Sequence, residues 1–220
     1  RWHYLPQCPP PAPPSQILVP SLPSAHRQVL EAAKAQGRCI VLFAGSLVPA
    51  ADVPNMIAAA ALLDPARFAV LLVGQGPMEE ALRALIAQEG LPHVHLLPVV
   101  PKDSVPSLIA LADIGLLGFR PLPLYRNGVS PNKLFDYMQG GLPVVLYADS
   151  PGNPVEQSGC GCVVPPADPI ALADALRRLA AFSPRELIIM GRRGQTYLAT
   201  HHDLPTVASR YLQLFQSLRA

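Results

Sequence analysis

Lys133 and Asp136 are the residues whose chemistry and spacing say most about this chain. They stand three apart in Gly128-Val-Ser-Pro-Asn-Lys-Leu-Phe-Asp-Tyr-Met-Gln-Gly-Gly-Leu-Pro-Val-Val145. The pattern predicts a turn-rich segment, a short helix opening near Ser130 or Pro131, a stop at Gly140-Gly141 and then an apolar strand. A helix N-terminus collects unpaired backbone N–H groups and the positive end of the dipole, so it seats phosphate. Residues three apart share a helix face. A cation for a diphosphate and a carboxylate for sugar hydroxyls would then stand on one short scaffold, the chemistry of a nucleotide-sugar site. The same spacing also fits a plain surface ion pair, worth about 0.2–0.5 kcal/mol.

Three other stretches could join them. The first apolar run, Cys39–Ala44, stops at Gly45-Ser46, where a missing side chain lets backbone approach phosphate. Val99-Val-Pro-Lys-Asp-Ser-Val-Pro106 offers exposed backbone groups beside Val99 and Val100, suited to the edge of a planar base. Gly118-Phe-Arg-Pro-Leu-Pro-Leu-Tyr-Arg-Asn127 brings Arg120 and Arg126 toward the same edge, where they could help neutralise a diphosphate. Neither GxGxxG after the first run nor GxxxxGK[ST] occurs, and Gly74-Gln-Gly76 reads as a strand-to-helix turn. His93 with His95, and His201 with His202, lack a third ligand nearby, and Cys160-Gly-Cys162 is too tight for a zinc knuckle. No metal is expected.

These residues need a scaffold, and composition bounds it. The 220 residues are 50% apolar and 15% charged, with a formal charge of +2. That balance suits a well-buried α/β sheet and gives no argument for nucleic acid or an anionic membrane. Residues 1–25, crowded with proline, read as an extended linker. Beyond them six short apolar runs alternate with helical segments, without hairpin spacing. Alternating units give a parallel sheet with right-handed crossovers. The expectation is a Rossmann-like, doubly wound α/β domain over 26–200, strand order 3-2-1-4-5-6, with ligands at the carboxyl edge of the strands. A last helix is expected over 201–220.

As an ordered set, Val73-Gly-Gln-Gly-Pro77, Val99–Pro106, Ala112-Asp-Ile-Gly-Leu-Leu117, Ser130–Met138 and Gly141-Leu-Pro-Val-Val145 resemble the C-terminal domain of group 1 (family 4) GT-B glycosyltransferases, especially bacterial surface-polysaccharide members. The resemblance spans about residues 38–200. It implies one of two Rossmann-like domains facing a cleft, binding a nucleotide-sugar donor, UDP-linked by expectation, while an absent N-terminal domain binds a glycan or lipid-linked acceptor. Transfer would be retaining, with no metal or other cofactor. Gly45 and Ser46 would lie against the diphosphate, and Val100 and Pro101 would border the base. Lys133 and the amides around Ser130 and Asn132 would hold phosphate, and Arg126, or Arg120, from the loop after the fourth strand could stand in as a second, catalytic cation. Asp136 would take the ribose hydroxyls.

Two positions depart from the family pattern. Its acidic pair is Glu, seven residues, Glu; here Asp136 fills the second place and Gly128 the first. The basic residue that usually follows the first Gly turn is also absent from Val48-Pro-Ala-Ala51. The resemblance further implies lipopolysaccharide-type biosynthesis in the bacterial cytoplasm, the isolated chain being inactive. Any contact with the inner membrane would belong to the missing half, against which residues 201–220 would pack. A GT-B sugar-nucleotide epimerase and a non-catalytic degenerate module are the alternatives.

Overall fold

Strands covered on both faces read as near-continuous apolar runs, because each side of the pleat meets a layer of helices. The computed structural model describes Pro9 and residues 22–129 and 132–218, so most of the Pro-rich stretch expected to be a linker lies outside the described residues. The six runs form one sheet: β1 Cys39–Ala44, β2 Phe68–Val73, β3 Val94–Leu97, β4 Ile114–Gly118, β5 Val144–Tyr147 and β6 Gly161–Val164. All neighbours pair in parallel, in the order β3-β2-β1-β4-β5-β6. The doubly wound Rossmann-like architecture is thereby established.

The helices are α1 Ser24–Ala35, α2 Val53–Ala60, α3 Glu79–Gln88, α4 Val105–Leu111, α5 Asn132–Gln139, α6 Pro154–Ser158, α7 Pro169–Ala180, α8 Pro184–His201 and α9 Leu204–Ser217. Alternation along β1 divides the core. Val41 and Phe43 join the layer of α2, α3 and α7, whereas Ile40 and Leu42 join that of α1, α4 and α5. Leu22 is already buried in the second layer, just before α1.

Beyond β3, at one edge, the chain crosses back through α4 to lay β4 against β1. The winding direction therefore reverses between β1 and β4, which opens a crevice at their carboxyl ends. α5 hangs over that crevice and is backed by α8. Gln195 Nε2 of α8 donates to the Gln139 carbonyl at 3.0 Å. A Cβ on Gly191 of α8 would lie 1.8 Å from the Gly141 carbonyl oxygen, so only glycine permits this approach. Among the described residues no helix is long and apolar enough to cross a membrane.

Candidate functional site

Lys133 lies in the first turn of α5 and reaches down onto the end of β1. Its Nζ stands 4.6 Å from the centre of the Phe43 ring, a cation–π contact worth about 0.5–2 kcal/mol. The amine occupies the space that a side chain on residue 45 would take: a Cβ there would meet Nζ at 2.1 Å and Cε at 2.5 Å. Gly45 is thus a notch for the lysine. Burial pushes the Lys133 pKa down. Among the described residues no carboxylate pairs with it, the ion pairs being Arg83–Glu79, Arg126–Asp149 and Arg177–Asp174. A desolvated cation without a counter-ion is costly, and an anion placed beside it would offset that cost.

Asp136, three residues on, is half-buried. Desolvation raises its pKa, and the charge of Lys102 partly opposes the rise. It does not pair with Lys133, so the surface ion pair that the spacing allowed is not formed. Tyr137 explains how the scaffold holds its place. Its hydroxyl accepts from the Ala44 N–H at 2.8 Å and donates to the Leu42 carbonyl at 3.2 Å. Its ring fills the room left by Gly115, whose Cβ would come within 2.8 Å. α5 is therefore fastened to the last turn of β1 at the residue following Asp136.

The β1 turn is braced from its other side by the turn after β2. Gly45 N–H donates to the Val73 carbonyl and Leu47 N–H to that of Gln75, both at 2.9 Å. A Cβ on Gly74 would sit 1.8 Å from the Gly45 oxygen, and one on Gly76 would sit 2.4 Å from the Leu47 oxygen. These glycines make room for backbone, as expected of a strand-to-helix turn.

The resulting cleft has a volume of about 800 Å³. Gly45, Ser46, Asn132, Lys133 and Asp136 line one part; Val99, Val100, Val105 and Lys102 line the other, with Val73 also in the wall. Most of the donor-site residues expected from sequence are therefore brought together. Pro101 is exposed and is absent from the lining, and Ser130 lies outside the described residues. Arg126 sits in a 3-10 turn, Pro123–Asn127, and its Nε donates to Asp149 Oδ2 at 2.7 Å. It is not among the residues lining the cleft. Arg120 acts instead on Asp52, whose pKa burial raises and Arg120 pulls back. Gly128 has φ 117°, and a Cβ there would meet nothing within 4 Å.

Sequence reasoning missed two residues. Lys102 reads as an ordinary solvated loop lysine, and Tyr137 as one more apolar position of an amphipathic helix. The only signal for either was its neighbourhood, the Val99–Pro106 loop for one and Asp136 for the other. Of the histidines, His93 is buried with Nε2 at 3.0 Å from the Ala60 carbonyl oxygen. His201 and His202 both lie against Tyr197, at 4.7 and 5.5 Å between ring centres.

A family model described as glycosyl transferases group 1 matches residues 38–181. The chain belongs to the group 1 glycosyltransferases. A search of curated proteins finds no match. Among solved structures, the chain is similar to the C-terminal domain of a group 1 family protein, LpcC of Francisella tularensis, with a TM-score of 0.63 and 18% identity, covering 86% of this chain and 97% of that one. HepE of Anabaena, crystallised with UDP and glucose, matches with a TM-score of 0.65 and 18% identity over 90% of this chain and 53% of its own. WaaG, a glycosyltransferase involved in lipopolysaccharide biosynthesis, gives 0.64 and 21%, over 88% and 51%. The chain spans about half the length of HepE and WaaG. Its fold is that of one half of a GT-B glycosyltransferase, the C-terminal one.

Proposed function

We propose that this chain is the donor-binding half of a retaining glycosyltransferase that moves a sugar from a UDP-sugar to a glycan or lipid-linked acceptor in cell-surface polysaccharide synthesis. One observation carries the reading. A half-buried lysine and a half-buried carboxylate, neither in an ion pair among the described residues, face a single cleft from one helix, three residues apart. A ligand with a diphosphate at one end and a ribose diol at the other satisfies both. In this reading Lys133, the Gly45–Ser46 turn and the first turn of α5 hold the diphosphate, and Asp136 accepts hydrogen bonds from the ribose hydroxyls. UDP and glucose in HepE, and the lipopolysaccharide role of WaaG, support the choice of donor and pathway.

Catalysis would consist chiefly of stabilising charge on the departing diphosphate. The Lys133 ammonium is fixed before reaction by Phe43 and the Gly45 notch, so little reorganisation is needed as the glycosidic bond to phosphate breaks. Losing one such contact costs about 2.7–4 kcal/mol of barrier. Arg126 would add a second cation only on leaving Asp149. The Pro-rich stretch ahead of Leu22 would serve as an interdomain linker, Leu22 and α1 already belonging to the domain. The last helix, with Tyr211, Leu212 and Phe215 exposed, would pack against the acceptor-binding half.

Calorimetric titration of this chain with UDP and with UDP-glucose tests the reading. Binding at one site, weakened by about 1.5–3 kcal/mol in a Lys133→Ala variant of unchanged stability, is the expected result. No binding of either at millimolar concentration would sink it.

A further inference from the structure

The lining of the cleft divides by chemistry. Lys133 and Gly45 mark the end of β1. Asp136 follows, about 4.5 Å further along the helix axis. Val99, Val100, Lys102 and Val105 come from the segment that follows β3 and opens α4, and they line the same cleft. A nucleotide with its diphosphate on Lys133 and its ribose on Asp136 has the apolar valine wall left for its base. That wall is apolar apart from one charged side chain. Lys102 opens the 3-10 turn Lys102–Ser104, is exposed at the rim, and makes no ion pair among the described residues.

We infer that Lys102 is a specificity-determining residue that selects bases presenting a ring carbonyl oxygen and disfavours adenine. This rests on the donor-site reading above. An ammonium has three N–H donors and no acceptor. It can pair with a uracil or guanine carbonyl, whereas an exocyclic amine presented at the same place leaves donor facing donor. A site built around a hydrogen bond rejects the analogue that lacks it far better than an apolar wall separates two shapes. Lys102 lines the cleft together with Asp136 and the three valines, and its charge is felt at the Asp136 carboxyl. The charged and titratable groups around Asp136 are then Lys102 from the β3 loop and, on its own helix, Lys133 and Tyr137.

Competition titrations of UDP, GDP, CDP and ADP against the chain and its Lys102→Met variant test this. Methionine keeps the aliphatic stem on the wall and removes only the charge. The unmodified chain should prefer UDP and GDP over ADP by about tenfold or more, one charge-assisted hydrogen bond. In K102M the UDP-to-ADP ratio should fall toward one, while the ratio of UDP to 2′-deoxy-UDP stays as it was. K102R should restore the preference. Equal losses for all four nucleotides in K102M would place Lys102 on the phosphate, and an unaltered ratio would leave it idle; either overturns the inference. Failure of every nucleotide to bind the unmodified chain would instead remove the donor-site reading beneath it.

Discussion

At the β1 turn, Tyr137 ties α5 to the backbone of Leu42 and Ala44, and the glycines after β2 let two turns touch backbone to backbone. In the loop after β4, by contrast, Leu122 and Leu124 face solvent, and the Arg126–Asp149 ion pair is exposed on both sides. Gly128, in the place of the family's first acid, points into open space. The first region is over-determined and the second loosely held. A hydrogen bond sheltered from water is costly to break, whereas an exposed ion pair is worth about 0–1 kcal/mol. The end of the cleft assigned to diphosphate and ribose is thus preformed. The segment after β4 takes little of its shape from the rest of this chain.

Breaking the braced region should have the largest effect. Gly74→Ala places a methyl against the Gly45 oxygen, which cannot move without disturbing β1. A stability loss of about 3 kcal/mol is expected in denaturant unfolding, with nucleotide binding lost as well. Gly45→Ala sharpens the contrast, since its new methyl meets the end of the Lys133 side chain rather than backbone. That variant should unfold near the wild-type midpoint, yet bind UDP at least as poorly as Lys133→Ala, a loss of about 1.5–3 kcal/mol.

Tyr137→Phe comes next. It strands the Ala44 N–H and the Leu42 carbonyl, costing about 1–3 kcal/mol of stability. Its effect on UDP affinity should be smaller, because Lys133 and Asp136 remain. Asp149→Ala should do least, within about 1 kcal/mol in stability, and should not weaken UDP binding, since it only frees Arg126. A large loss of nucleotide binding in this variant would mean that the loop after β4 belongs to the preformed region after all.

Titration separates binding from folding in the same region. Burial lowers the Lys133 pKa and raises that of Asp136, so both charged forms are disfavoured by the fold. Between its ordinary and raised pKa values Asp136 binds more protons folded than unfolded, and stability rises as pH falls through that window. Lys133 is the mirror case: stability rises with pH between its lowered value and the ordinary lysine range. On the proposed donor-site reading nucleotide binding uses both charges and should fall in both windows. Unfolding midpoints and UDP affinities measured across pH should therefore move in opposite directions. Parallel movement would show that these groups are not the ones being titrated.

Much of the scaffold was legible because its physics is local. Cys39–Ala44, Phe68–Val73 and Val94–Leu97 are strands with the bounds their apolar runs announce, and βα alternation fixes the order of all six. The 3-10 turns at Pro49–Ala51, Lys102–Ser104 and Pro123–Asn127 were not, since a proline near a helix start fits either helix type. Lys133 and Asp136 could be singled out by spacing alone. Their environment could not: the Gly45 notch and the Tyr137 hydroxyl join residues about ninety positions apart. Arg126 shows the same limit in reverse. Its charge and its neighbours pointed to the site, while its partner, Asp149, lies beyond the next strand.

A structure of this chain soaked with UDP tests the central claim most directly. The diphosphate should lie on Lys133 and the Gly45–Ser46 turn, the ribose hydroxyls within hydrogen-bond distance of Asp136, and the base on the wall formed by Val99 and Val100. UDP bound elsewhere, or lying in this cleft with its diphosphate away from Lys133, would contradict the account.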